Sequence, residues 1–141
     1  MTTYHGSCYC GAVRFTAEGD LSAGTSRCNC AFCRKMRYWE MPLPDPAGLH
    51  VLSGAEALAE TPLRPAADGA ETMDLHHVFC ARCGTRLWTT GTIPEMGGAV
   101  AMVSVAALDD VPVEALVTAP VRTMNGAADD WFNPAPEARH L

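Results

Sequence analysis

Apolar and polar residues alternate along several short stretches of the chain, a pattern typical of half-buried β-strands. From Gly11 to Glu18, the apolar residues Val13, Phe15 and Ala17 lie on one face and polar residues on the other. We therefore predict a strand there. Further strands are predicted at Arg27–Cys30, Leu49–Ser53, Glu71–Phe79, Arg86–Thr90 and Ala99–Val105. The last of these is largely apolar, as a central strand would be.

Prolines separate these strands. Pro42, Pro44 and Pro46 argue against a helix or a central strand and predict an extended loop. A second loop is predicted from Thr61 to Gly69. The helical signal is confined to about two turns at 31–37, while 55–60 is ambiguous. We therefore expect an all-β fold of short strands and long loops.

The length of 141 residues fits one domain covering residues 1–141. The chain becomes irregular from about Asn125, where Trp131 and Phe132 are expected to cover the sheet. Trp39 and Trp88 are expected to pack in the core or at its rim. The predicted fold by itself indicates no function.

The net charge of −6 and the pI of about 5.2 argue against a general nucleic-acid binder. The first residues show neither a basic start nor an apolar segment, so we expect no secretory signal and a cytoplasmic location without membrane contact. Cytosolic thiols stay reduced, and clustered cysteines there indicate metal binding or catalysis rather than disulfides.

Seven cysteines fall into three clusters. These are Cys8 and Cys10, then Cys28, Cys30 and Cys33, and finally Cys80 and Cys83. The last pair lies in a C-x-x-C-G sequence, typical of a zinc knuckle in which Gly84 takes a positive φ. A structural zinc ion needs four ligands, so this pair requires two more sulfurs.

Either of the other clusters has two sulfurs to offer, but one division uses all seven cysteines. Cys8 and Cys10 complete a four-cysteine site with the knuckle, and the remaining three cysteines form a three-ligand site. Three protein ligands leave one position free, as in catalytic zinc sites. On an extended strand, residues i and i+2 project to the same side. Cys8 and Cys10 could therefore bind one ion together, and Cys28 and Cys30 could bind another. The simpler alternative is that some of these cysteines are only buried apolar residues.

The chain resembles the glutathione-dependent formaldehyde-activating enzyme family in four stretches that occur in the family's order. They are Gly6–Phe15, Cys28–Lys35, Phe79–Gly84 and Leu108–Asp110. All seven cysteines match metal-ligand positions of the family. Asn29 stands where many members carry histidine, and Met36–Trp39 replaces a small, glycine-containing stretch.

This resemblance implies the Mss4-like fold of antiparallel sheets and two zinc ions per chain. It implies a structural site of Cys8, Cys10, Cys80 and Cys83, and a catalytic site of Cys28, Cys30 and Cys33. The implied activity is the condensation of formaldehyde with glutathione to S-(hydroxymethyl)glutathione, a carbon–sulfur lyase reaction in reverse. The alternative is a non-catalytic, zinc-stabilised binding module with the same fold.

Four basic residues lie next to the three-cysteine cluster in the sequence. Arg27, Arg34, Lys35 and Arg37 are expected to balance the thiolates, and Arg34 with Lys35 are candidates for binding the carboxylates of glutathione. His76 and His77 are neighbours on a predicted strand, so at most one of them faces a metal, and a structural histidine is the simpler interpretation. Asp109 and Asp110 follow a strand and are predicted to be turn residues.

Overall fold

The computed structural model describes residues 1–63 and 73–141, in which ten β-strands and two short α-helices are found. The strands are β1 Thr2–Ser7, β2 Arg14–Gly19, β3 Thr25–Cys28, β4 Glu40–Pro42, β5 Leu49–Ser53, β6 Leu58–Glu60, β7 Asp74–Cys80, β8 Arg86–Ile93, β9 Gly98–Ser104 and β10 Val121–Met124. The helices are α1 Ala31–Met36 and α2 Val113–Thr118. The β-dominated fold expected from the sequence is confirmed.

The strands form two sheets. The smaller has the order β1-β2-β5 and is antiparallel. The larger has the order β10-β3-β4-β9-β8-β7-β6, and β10 with β3 is its parallel pair. Within the described residues neither helix exceeds six residues, whereas a membrane-spanning helix needs about 20.

The core lies where the two sheets meet. Val13, Phe15 and Ala17 are buried, as the alternation of the sequence predicted. The ring of Phe15 on β2 packs edge-to-face on Trp88 of β8, with centroids 5.2 Å apart. Since β2 and β8 belong to different sheets, this contact joins them, and burial of such aromatic rings contributes strongly to stability.

Most of the predicted strands are present. The prediction for β5 is confirmed to the residue, and β2, β8 and β9 overlap their predictions with shifted ends. β9 lies between β4 and β8, which confirms its central position. The strand predicted from Glu71 begins at Asp74, and its first two residues fall outside the described part of the chain, as do residues 64–69 of the second predicted loop. The ambiguous segment 55–60 divides into a 3₁₀ turn and β6.

The loop predicted from the three prolines is wrong in its first part. Glu40 to Pro42 forms β4, which pairs with β3 on one side and β9 on the other. Proline is tolerated because Pro42 is the last residue of the strand, and the next amide, that of Leu43, donates to the carbonyl of Ala101. The strand is only three residues long, too short for alternation to reveal it.

Besides β4, the sequence also did not predict β1, α2 and β10. The C-terminal stretch after β10 is irregular as expected, apart from a 3₁₀ turn at Gly126–Ala128. The expectation that Phe132 covers the sheet is wrong, because its side chain is exposed. Trp131 instead packs against Gly126, where an added Cβ would lie 2.5 Å from the indole. Short, partly exposed elements carry too little apolar pattern to be read from sequence.

Candidate metal centres

Four cysteine sulfurs meet where two turns of the chain come together. The turn after β1 supplies Cys8 and Cys10, whose sulfurs are 3.5 Å apart, and the turn after β7 supplies Cys80 and Cys83. The sulfurs of Cys10 and Cys80 lie 3.8 Å apart. All four sulfurs lie within 4.8 Å of one another, so this group could hold one metal ion.

Both turns close in the same way. The amide of Gly11 donates to the carbonyl of Cys8, and that of Gly84 donates to the carbonyl of Cys80. Both glycines have a positive φ, +76° and +80°, which other residues rarely adopt. The positive φ predicted for Gly84 is therefore confirmed, while the equivalent role of Gly11 was not foreseen.

The prediction that Cys8 and Cys10 share an ion from a strand is wrong, because both lie beyond the end of β1. In the four-cysteine group, tight turns bring the sulfurs to one side. Cys28, by contrast, ends β3, and Cys30 has an extended backbone with φ −60° and ψ 155°. Thr85 also joins the two turns, since its hydroxyl accepts from the amide of Tyr9 and lies 3.2 Å from the sulfur of Cys83.

The other three cysteines form a second cluster between β3 and α1. Cys28 is the last residue of β3, Cys30 caps the N-terminus of α1, and Cys33 lies within that helix. Their sulfurs also lie within 4.8 Å of one another. Backbone amides support them, since Cys30 N donates to the sulfur of Cys28 and Cys33 N donates to the sulfur of Cys30.

These three thiols compete for protons. Hydrogen bonds from Cys28 and Cys33 lower the pKa of Cys30 to about 2, and the same contacts raise the pKa of Cys33. The group therefore does not carry three negative charges unless a cation is bound to neutralise them. Binding a metal ion would release the remaining thiol protons.

Both donor sets suit zinc. Thiolate sulfur is a preferred zinc ligand, and Zn–S bonds of about 2.3 Å in a tetrahedron place sulfurs about 3.8 Å apart. The 3.5 Å and 3.8 Å separations in the four-cysteine group agree with that geometry. Among the described residues, no further Cys, His, Asp or Glu donor belongs to the three-cysteine group. An ion there would have a position open to another ligand.

A small pocket, closed to water-sized molecules in this structure, lies beside Cys28 and Cys33, and Arg27, Arg34 and Arg37 are among its lining residues. Burial, together with the nearby charge of Arg37, lowers the pKa of Arg27. Three guanidinium groups at one pocket favour an anionic partner. Of the two residues predicted to bind a cofactor carboxylate, Arg34 lines this pocket, whereas the exposed Lys35 does not.

The C-terminal stretch closes over the same site. The side-chain amide of Asn29 donates to Asn125, and its oxygen accepts from the amide of Ala127. These bonds place Gly126 directly against Cys28, where an added Cβ would be 2.6 Å from the sulfur. At the far end, Arg37 donates to the carbonyl of His140. No local motif in residues 125–140 predicted these contacts.

The sheet beneath the three-cysteine cluster carries buried polar residues, and the sequence did not single out two of them, Glu40 and Thr89. Glu40 and Thr89 are buried and hydrogen-bonded to each other at 2.7 Å. His77 is buried, whereas His76 is exposed and bonded to Glu60 and Asp74. The two histidines therefore face opposite sides of β7, as alternation predicts.

Asp109 and Asp110 lie in a bend after β9, as predicted, and they also fix β1 in place. Asp109 accepts from the hydroxyl of Ser7, and Asp110 accepts from the amide of His5. These bonds position the strand that leads into Cys8. The two aspartates lie in contact with β1 and not with either sulfur cluster.

The sequence profile of the family described as "Glutathione-dependent formaldehyde-activating enzyme" matches residues 3–124. The chain belongs to this family. A relative from Halomonas elongata, named "Putative glutathione-dependent formaldehyde-activating enzyme", is 37% identical over 87 residues, or 59% of this chain. That match covers 53% of the relative, so the chain spans about half the length of the curated relative it matches.

A solved structure shares the fold. A crystal structure of a Rhodobacter sphaeroides protein superposes with a TM-score of 0.65 at 28% identity. The match covers 83% of this chain and 98% of that protein. All seven cysteines of the two sulfur clusters lie within the residues 3–124 that match the family.

The two sulfur clusters are expected to differ in what they do for stability. Cys83→Ser removes a ligand that joins the two knuckle turns, so we expect loss of one bound metal ion and a lower melting temperature. Cys30→Ser is expected to lose one metal ion while the fold remains intact. Elemental analysis and thermal unfolding of the purified variants measure both effects. A Cys83→Ser variant with unchanged melting temperature would contradict the assignment.

The stability of the protein should also depend on Glu40. Burial is the main cause that raises the pKa of Glu40 to about 7. The folded state then holds this proton more tightly than the unfolded state, so stability declines as the pH rises from about 4.5 to 7, by roughly 3 kcal/mol. Urea unfolding of metal-loaded protein at several pH values tests this. Glu40→Gln should lack this decline, and equal slopes in the two proteins would refute the prediction.

Proposed function

We propose that this chain is a zinc-dependent enzyme that joins a small thiol to an aldehyde at the three-cysteine cluster. The observation that carries the proposal is a group of three sulfurs with no further protein donor among the described residues, next to an arginine-lined pocket. Formaldehyde and glutathione are the substrates that the family's description suggests. The reaction forms a carbon–sulfur bond, and its reverse is that of a carbon–sulfur lyase.

In this proposal the two clusters have different roles. Cys8, Cys10, Cys80 and Cys83 hold a structural zinc ion, because four ligands close its coordination. Cys28, Cys30 and Cys33 hold the catalytic ion. When bound there, zinc supplies a Lewis acid with a position for one exchangeable ligand. Reduced thiols are needed at both clusters, and for this reason we place the protein in the cytosol.

The charge of the three-cysteine site favours thiol–aldehyde chemistry over hydrolysis. Three thiolates and one Zn²⁺ sum to −1, whereas zinc held by three neutral histidines keeps its charge of +2. A water bound at this electron-rich site would therefore have a higher pKa than the value of about 7 found for water in three-histidine zinc sites. A soft sulfur ligand is therefore a better match for it than hydroxide.

The arginine pocket then binds the carboxylates of the thiol substrate. Arg27, Arg34 and Arg37 line the pocket beside Cys28 and Cys33. Guanidinium binds carboxylate with two parallel hydrogen bonds, which fixes the orientation of the ligand as well as its position. An anchored glutathione would direct its thiol to the sulfur cluster. Holding the thiol in place there lowers the entropic cost of its reaction with the aldehyde.

The reaction balances within the two substrates. The thiol S–H bond breaks and a C–S bond forms at the aldehyde carbon. The π pair of the C=O bond moves to oxygen, which receives the proton. No external oxidant or reductant is required.

The direct test measures adduct formation above the spontaneous rate. We expect zinc-loaded protein to accelerate formation of S-(hydroxymethyl)glutathione from ¹³C-formaldehyde and glutathione, measured by exchange NMR. Cys30→Ser should fall to the spontaneous rate while keeping its fold. Protein carrying both metal ions that accelerates no thiol–aldehyde pair would contradict the enzyme proposal and favour a binding module.

Carboxylate recognition is expected to depend on Arg34 and not on its neighbour. Losing one charge-assisted contact costs about 1.5–3 kcal/mol, so Arg34→Gln should raise KM for glutathione roughly 10- to 100-fold. Lys35→Gln is the matched control because Lys35 is adjacent, exposed and outside the pocket. Steady-state kinetics with glutathione and with its diethyl ester measure the effect. Equal KM changes in both variants would argue against a carboxylate pocket.

A further inference from the structure

A row of buried polar side chains crosses the larger sheet. His77 on β7 lies directly opposite Thr89 on β8, and its Nδ1 is 3.0 Å from the threonine hydroxyl. That hydroxyl lies 2.7 Å from Oε1 of Glu40 on β4. All three side chains are less than 9% exposed, with Thr89 at 0%. The row is therefore a continuous hydrogen-bonded chain inside the protein.

The hydrogen-bonded row can carry a proton because of its central hydroxyl. Thr89 has one hydroxyl proton, and when it donates this proton to a Glu40 carboxylate it accepts one from Nδ1–H of His77. When Glu40 is protonated the order reverses: Glu40 donates to Thr89, Thr89 donates to Nδ1, and the imidazole proton is on Nε2. A proton added at one end of the hydrogen-bonded row is thus available at the other end.

The histidine end of this row lies beneath the three-cysteine site. The imidazole of His77 packs on Phe32, with ring centroids 4.4 Å apart, and Phe32 lies in α1 between Cys30 and Cys33. No hydrogen-bond partner for Nε2 of His77 is found in the described part of the chain. Within the described residues, Nε2 is therefore the end of the row without a hydrogen bond.

A second polar group at the same place lacks a partner. Tyr38 packs on both Phe32 and His77, with centroids 5.6 Å away in each case. Its hydroxyl is buried without a hydrogen bond, and such groups are rare because they cost about 1–3 kcal/mol. Tyr38 also lines the arginine pocket. The structure therefore leaves one buried hydroxyl without a partner on the ring that packs against Phe32 and His77.

Charges around the row place its proton exchange near neutral pH. Burial raises the pKa of Glu40, and the nearby Cys30 raises it further, while the bond from Thr89 lowers it. Burial lowers the pKa of His77, with Arg86 and His76 acting in the same direction and Cys30 opposing them. Burial and Glu40 raise the pKa of Tyr38 to about 12. The neutral imidazole can therefore accept a proton while Tyr38 keeps its own.

We propose that Glu40, Thr89 and His77 form a proton relay that accepts the substrate's thiol proton and returns it to the aldehyde oxygen. This inference rests on the proposed function. Phe32 positions the imidazole against the sulfur cluster, and Tyr38 is available to donate to the oxygen as it becomes negative. Glu40 and Thr89 act through His77 and are positioning residues.

Each transfer in the relay is balanced. The thiol proton passes to Nε2 of His77, the Nδ1 proton passes to Thr89, and the threonine proton passes to Glu40. The sulfur then attacks the carbonyl carbon and the π pair moves to oxygen. Reversal of the three transfers returns one proton from Nε2 to that oxygen, and the relay regains its starting state.

The relay is tested first without activity, by ¹⁵N NMR of the histidines in zinc-loaded protein. As the pH falls through neutrality, the proton of His77 is expected to move from Nδ1 to Nε2. Thr89→Val keeps the shape of the side chain but removes the hydroxyl, and should abolish this tautomer change. Thr89→Ser should restore it. Thr90→Val, at the next position on β8 and facing the other side, is the matched control and should behave as wild type.

Activity provides the second readout. Thr89→Val and Glu40→Gln are expected to lower kcat at least 100-fold and to flatten its pH profile, with KM for glutathione unchanged. Thr89→Ser should recover most of kcat. Equal pH profiles in wild type and Thr89→Val would overturn the relay, and so would a His77 tautomer that does not respond to pH in folded wild-type protein.

Failure of the proposed function has a different signature. In that case wild-type protein forms no adduct at any pH, whatever the NMR shows. If the wild type is active, the relay is judged by the His77 tautomer and by the Thr89 and Glu40 variants. If Thr89→Val does not fold, the tautomer titration of the wild type and the kinetics of Glu40→Gln still decide the question.

Discussion

The convergence of four cysteine sulfurs from two distant turns is the constraint on which the rest of the molecule depends. Cys10 and Cys80 are 70 positions apart, yet their sulfurs lie 3.8 Å from each other. Their meeting places the end of β1 against the turn between β7 and β8, and so joins an edge strand of the smaller sheet to the larger one. Glycines with positive φ make both turns tight enough for this approach.

The three-cysteine cluster is built differently, and the difference suits a reactive site. Its ligands come from one short segment, Cys28–Cys33, at the change from strand to helix, so the rest of the fold does not depend on it for closure. Its surroundings are strongly asymmetric. Arginines face it from the pocket, whereas the sheet side presents a ring stack of Phe32, Tyr38 and His77 over buried polar groups.

Two side chains tie the three-cysteine cluster to the C-terminal stretch. Asn29 holds residues 125–127 against the cluster through both ends of its amide, so Gly126 rests on Cys28. Arg37 ends α1 in a left-handed conformation and reaches the carbonyl of His140. Both residues connect the three-cysteine cluster to the C-terminal stretch.

The sequence by itself determined local features of the structure. The alternation of Val13, Phe15 and Ala17 specified a half-buried strand, because side chains on extended backbone alternate between faces. The clustering of the cysteines predicted one group of four and one group of three, and the fold brings the sulfurs of each group together. Only the tertiary structure decided how strands lie side by side. Glu40 meets Thr89 across 49 positions because β4, β9 and β8 pair in register, and no local pattern marks that contact. Pairing between distant strands follows from packing of the whole sheet, so the buried polar row became visible only in the fold.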